Sequence, residues 1–141
     1  MSRILLDTNI VLRLIDRNDK AHSLCLHTVE ALFLKNKQIC LVPQVLIELW
    51  VVATRPVAQN GLGWSPKQTR IEIDHLLHLF ELLPDTEQVF QEWLNLVSQG
   101  VSGKRGHDAR LAACVITHEV EAIVTLNPSD FNGFGISVIK P

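Results

Sequence analysis

Four short runs, RILL at residues 3–6, ICLV at 39–42, AIVT at 122–125 and ISVI at 136–139, are apolar almost throughout instead of alternating with polar residues. A strand with one wet face alternates, whereas one covered on both faces does not, and coverage on both faces is the condition of a parallel sheet. Segments of helical spacing separate the runs, so the predicted class is α/β: a three-layer α/β/α sandwich with a short, mostly parallel central sheet. In such sheets ligands bind outside the carboxyl ends of the strands. That rule singles out Asp7, directly after the first run, and Asn127 and Asp130, shortly after the third.

Between the runs, the pattern predicts one or two helices from Ile10 to Lys35, where Leu24, Val29, Leu32 and Phe33 recur at helical spacing. Pro43 suits the first position of a helix running through VLIELWVVAT, which Pro56 ends. The Gly- and Pro-rich RPVAQNGLGWSP is a loop, and Ser65-Pro66-Lys67-Gln68 has the form of a capping box for a helix to about Leu83. Asp85 and Gln88 repeat the capping pattern for a helix to Ser98, closed by Gly100. After the polar SGKRG, a last helix begins near His107-Asp108 and ends before Glu121.

A chain of 141 residues is the size of one domain, here residues 1–141, with 47% apolar and 20% charged residues, as in ordinary globular proteins. The net charge of −2 excludes the broadly basic surface of many nucleic-acid binders, so any such contact is local. Cys25, Cys40 and Cys114 are odd in number and lack C-x-x-C spacing, which argues for small core residues in a reducing compartment. No segment approaches the roughly 18 uninterrupted apolar residues of a membrane span. Asp7 interrupts what a signal peptide would continue as an apolar run, and the expected location is the cytoplasm.

Glu48 stands out because the stretch Val45 to Val52 predicts a helix buried nearly all round. A carboxylate there loses several kcal/mol of solvation unless a cation or donors face it; a narrow polar stripe or a structural Arg is the alternative. Asp7 alone is equally an N-cap, and Asp108 alone equally a first-turn acid meeting the helix dipole. Together they gain weight only if all three converge on one edge of the sheet. Three converging carboxylates repel one another and call for a hard divalent ion, and oxygen ligands without His or Cys at zinc spacing favour Mg²⁺ or Mn²⁺. Such an ion, holding few carboxylates and several waters, suits phosphodiester hydrolysis.

The segments RILLDTNIVLRLI, VLIELWVVATRP, GKRGHDARLAA and VTLNPSDF, in that order along nearly the whole chain, resemble the PIN-domain family, in particular VapC-like toxins of bacterial toxin–antitoxin pairs. The resemblance implies a ribonuclease with three or four acids holding Mg²⁺ or Mn²⁺, acting on RNA, forming a homodimer and paired with a cognate antitoxin. On it, Asp7, Glu48 and Asp108 are the catalytic, metal-holding acids. Asn127 stands where many members have an acid, with Asp130 three residues on, so both are further candidate ligands and one metal is the default. Thr8, Asn9 and Thr125 orient carboxylates or waters.

Lys104, Arg105 and Arg110 flank Asp108, where they either hold substrate phosphates or line a solvated loop. The six histidines read as structural or exposed, and Trp50, Trp64 and Trp93 as core or dimer packing. Two rivals to a nuclease are a non-catalytic PIN-fold module binding RNA or protein, which Asn127 favours, and a phosphotransfer receiver, which would want a second acid beside Asp7.

Overall fold

A computed structural model describes residues 2–141. Among them five strands, β1 (Arg3–Leu6), β2 (Gln38–Leu41), β3 (Glu81–Leu82), β4 (Ala122–Val124) and β5 (Val138–Ile139), form one sheet in the order β3-β2-β1-β4-β5, every pair parallel. Six helices connect them: α1 (Thr8–Ile15), α2 (His22–Leu34), α3 (Pro43–Thr54), α4 (Pro66–Leu79), α5 (Glu87–Val97) and α6 (Arg105–Thr117). Crossovers between parallel strands are right-handed almost without exception. The steps β1 to β2 to β3 run one way along the sheet and lay α1 to α4 on one face. The step from β3 to β4 runs back and lays α5 and α6 on the other. Packing follows that division, with α1 against α2 and α3, α3 against α4, and α5 against α6. Covered on both sides, Ile4, Leu5, Leu6, Cys40, Leu41, Ile123 and Val124 are wholly buried, which is why their runs do not alternate.

Because the chain leaves β1 for β2 on one side and returns to β4 on the other, β1 and β4 flank the topological switch point, where an open α/β sheet forms its crevice. The segments after both strands lie there, Asp7–Asn9 after β1 and Thr125–Phe131 after β4, the latter closing in a 3₁₀ turn over Pro128–Phe131.

Three local expectations are corrected. The helix from Pro66 stops at Leu79, and Glu81–Leu82 is the edge strand β3. Buried Phe80 and Leu83 bracket partly exposed Glu81 and exposed Leu82, a strand pattern too brief to interrupt the apolar run before it. Thr86, not Asp85, caps α5, its side chain accepting from the Val89 N–H, while the Asp85 carboxylate turns to Arg110 at 2.8 Å. And α3 is not buried all round: Ile47 is 62% exposed and Val51 51%, forming an apolar stripe with half-buried Leu46 and Trp50.

Other features match. Pro43 occupies the start of α3, and Ser65 caps α4 by accepting from the Gln68 N–H at 3.0 Å. The loop after α3 folds back so that the N–H groups of Leu62, Gly63 and Trp64 reach the carbonyls of Val52, Arg55 and Ala53, satisfying a helix end that would otherwise need water. Gly61 permits this, since a Cβ there would stand 1.9 Å from the Arg55 carbonyl oxygen. All three cysteines are buried and free. Among the described residues no helix is long and apolar enough to cross a membrane.

Candidate functional site

Asp7 is both the first residue beyond β1 and the N-cap of α1. Its Oδ1 accepts from the Thr8 N–H at 2.7 Å, and its Oδ2 accepts from the Thr125 hydroxyl at 2.7 Å and the Asn9 amide at 3.3 Å. The carboxylate is therefore fixed from two strands at once. Thr125 is fully buried, and while its hydroxyl donates to Asp7 it accepts from the Asn9 amide at 3.3 Å and the Asn127 N–H at 3.1 Å. The Asn9 side-chain Oδ1 in turn accepts from the Leu126 N–H at 3.1 Å. One hydroxyl thus ties the carboxyl ends of β1 and β4 together.

Replacing Thr125 with isosteric valine keeps the volume but leaves the Asn127 N–H and the buried Asp7 carboxylate each short of a partner. We expect Thr125→Val to cost about 1–3 kcal/mol of stability in urea unfolding, the usual penalty for stranded polar groups. A loss under about 0.5 kcal/mol, the low end for one ordinary hydrogen bond, would mean that the hydroxyl does not join the strands.

Glu48 projects from α3 into the same crevice. Its Oε2 accepts from the Thr8 hydroxyl at 3.2 Å and its Oε1 from the Gln44 amide at 2.7 Å. It is partly buried, one helical turn after buried Gln44 and beside the exposed Ile47 and Val51. Asp108 sits in the first turn of α6, where the helix dipole favours a negative charge. Even so, its carboxyl is pushed up to about 6, first by burial and then by the charges of Asp130, Asp7 and Glu48, with Arg105 opposing. Asp7 is likewise raised, mainly by burial and against its hydrogen bonds from Thr125 and Thr8, with Glu48 and Asp130 adding to the rise. The charges of Glu48 and Asp130 thus reach both Asp7 and Asp108 across the crevice. Asp130 is half-buried in the 3₁₀ turn, whereas Asn127 begins that turn with its side chain exposed.

The donor set is all oxygen and strongly anionic, which fits a hard divalent ion rather than zinc. Among the described residues no three His, Cys, Asp or Glu side chains draw close enough to enclose an ion. A Mg²⁺-like ion that keeps several of its own waters does not require them to, so the residues present fit such an ion.

The basic residues divide. Lys104 is exposed just before α6. Arg105 donates to the Asn132 carbonyl at 2.8 Å and lies 4.9 Å from the Phe134 ring centroid, pinning the Asp130 turn against α6. Arg110 is engaged by Asp85 and by the Gln44 carbonyl oxygen at 3.1 Å. Trp93 is partly buried and donates to the Gly106 carbonyl at 2.8 Å, holding the start of α6. Gln44, 6% exposed, escaped notice in the sequence; its place four residues before Glu48, on one helix face, was the available sign.

A parallel α/β sheet with acids gathered at its switch point is the fold of a known group of domains. Residues 4–132 match the family model described as PIN domain, and the chain belongs to that family. Its fold is similar to that of VapBC2 from Rickettsia felis, solved bound to a DNA fragment from the VapBC2 promoter, with TM-score 0.76 and 19% identity over 99% of this chain and 98% of that one. It is also similar to FitAcB from Neisseria gonorrhoeae, with TM-score 0.71 and 20% identity over 96% of each chain. VapC20 from Mycobacterium tuberculosis, described as a toxin cleaving the Sarcin-Ricin loop, aligns with TM-score 0.60 and 16% identity over 85% of this chain and 86% of that one. No curated protein matches the sequence.

Proposed function

We propose that this chain is a Mg²⁺- or Mn²⁺-dependent endoribonuclease acting in the cytoplasm as the toxin of a toxin–antitoxin pair. The observation that carries the proposal is the linkage of the acids at the switch point of a PIN-domain sheet, where Thr8 bonds both Asp7 and Glu48 and Gln44 joins Glu48 to the backbone next to Asp108. VapC20, a structural neighbour, is described as a toxin cleaving the Sarcin-Ricin loop, and a further neighbour is a toxin–antitoxin complex, which supports both the substrate class and an antitoxin partner.

When bound, Mg²⁺ or Mn²⁺ supplies positive charge to the phosphodiester oxygens and acidity to a coordinated water. Asp7, Glu48 and Asp108 would hold it, with Asp130 a further carboxylate whose charge reaches Asp7 and Asp108. Thr125, Thr8 and Asn9 aim the Asp7 lone pairs into the crevice, and Gln44 and the Thr8 hydroxyl do so for Glu48. Lys104 and Arg105, both exposed near Asp108, would meet backbone phosphates at the rim. The apolar stripe of Ile47 and Val51 on α3 suits a second copy of the chain in a homodimer.

The purified protein should cut members of a mixed RNA panel in Mn²⁺ or Mg²⁺ and stop in EDTA. Binding of RNA with no metal-dependent turnover would replace the nuclease with a PIN-fold binding module.

A further inference from the structure

We infer that Gln44 is a positioning residue that sets the spacing between Glu48 and Asp108, and that Arg110 serves it by locking its amide in the one orientation that does so. The inference rests on the metal-dependent nuclease proposed above and names two residues of its machinery that touch neither metal nor substrate.

Gln44 is buried in the first turn of α3. Its amide nitrogen donates to Glu48 Oε1 at 2.7 Å and to the His107 carbonyl at 3.0 Å. Glu48 belongs to α3, while His107 directly precedes Asp108 in α6. A single side chain therefore clips together the two helices, from opposite faces of the sheet, that carry two of the acids. The orientation of the amide follows from chemistry alone. A guanidinium only donates, so the Gln44 atom 3.1 Å from Arg110 Nη1 is the carbonyl oxygen. The amino group then faces Glu48 and the His107 carbonyl, both acceptors, and an inverted amide would set oxygen against oxygen at both. Arg110 is itself held by Asp85 at 2.8 Å, just outside α5. The order is Asp85, Arg110, Gln44, Glu48, and it uses the guanidinium that would otherwise be free for a phosphate.

Outer partners of metal ligands commonly change affinity or activity by roughly tenfold to a hundredfold. The experiment measures Mn²⁺ affinity by calorimetry, together with the KM for RNA, in the wild type, Gln44→Met, Arg110→Met and the double variant, with thermal unfolding to confirm the fold. Gln44→Met should weaken Mn²⁺ binding by roughly tenfold or more. Arg110→Met, which leaves the buried side chain in place and so tolerates folding better, should weaken it in the same direction. The double variant should be no worse than Gln44→Met, because both act on one linkage. A phosphate-binding Arg110 would instead raise the KM and leave Mn²⁺ affinity unchanged, and that result, or full additivity, overturns the inference. Unaltered affinity in Gln44→Met overturns it too, leaving the nuclease standing, whereas a wild type that binds no Mn²⁺ overturns both.

Discussion

Asp7→Asn is expected to lower metal-dependent RNA cleavage by more than about a hundredfold, the upper end of what is lost when only an outer partner of a ligand is removed. The substitution keeps the shape of the side chain and one oxygen, which can still accept from the Thr8 N–H. It replaces the other oxygen with an amino group where the Thr125 hydroxyl and the Asn9 amide both approach. The charge that would attract a cation goes, and the remaining donor points away from the metal's needs. The metal-free protein should also lose stability, about 1–3 kcal/mol, because the Thr125 hydroxyl and the Asn9 amide lose their shared acceptor. Cleavage within tenfold of wild type would remove Asp7 from the centre of the site.

The second large effect is on stability. Asp108 titrates near 6 in the folded chain, above its ordinary carboxylate value of 3.8. Below about 4 it is protonated in both folded and unfolded states and contributes no difference. Between about 4 and 6 the folded state holds a proton that the unfolded state has lost, so stability falls as pH rises through that window and levels off above it. Asp7, also raised, acts in the same direction. Metal-free protein should therefore be more stable at pH 5 than at pH 7.5. Asp108→Asn should flatten the difference and raise the melting temperature at pH 7.5. Added Mn²⁺ reverses the order, because it binds the ionised site: at a concentration of 100 Kd it should stabilise the wild type by about 2.7 kcal/mol at pH 7.5. Much less should remain at pH 5, where protons compete for the same oxygens. Differential scanning fluorimetry across pH, with and without Mn²⁺, checks both signs; a flat metal-free profile, or equal Mn²⁺ stabilisation at the two pH values, would show that Asp108 does not share its charge with the cluster.

How far the fold was legible follows from what each residue depends on. Non-alternating strand runs reported coverage on both faces, and coverage implied a parallel sheet, so the class and the place of Asp7 came from local pattern alone. Pro43 and Ser65 announced their helices through backbone chemistry that needs no tertiary partner. The two-residue strand β3 did not, because an edge strand so short leaves no period to detect. The exposed side of α3 was misread for a related reason: Ile47 and Val51 have the composition of a core, and whether anything covers them is a property of the assembled surface. In the site, the approach of the Asp130 charge to Asp108 depends on a 3₁₀ turn. The commitment of Arg110 depended on Asp85, 25 residues away, failing to be the cap it resembled. Residues that act through a contact distant in sequence leave no mark on their neighbours.

The outermost strands, β3 and β5, are each two residues long. A sheet edge recruits foreign chains by offering a row of unpaired backbone groups, and two residues offer almost none. This protein carries considerable exposed apolar surface on α3 and elsewhere, yet its sheet is closed to cross-β growth at both margins. Whatever binds it must be recognised by side chains, and the concentration at which it begins to aggregate should respond to substitutions on helical faces and hardly at all to substitutions along the sheet borders.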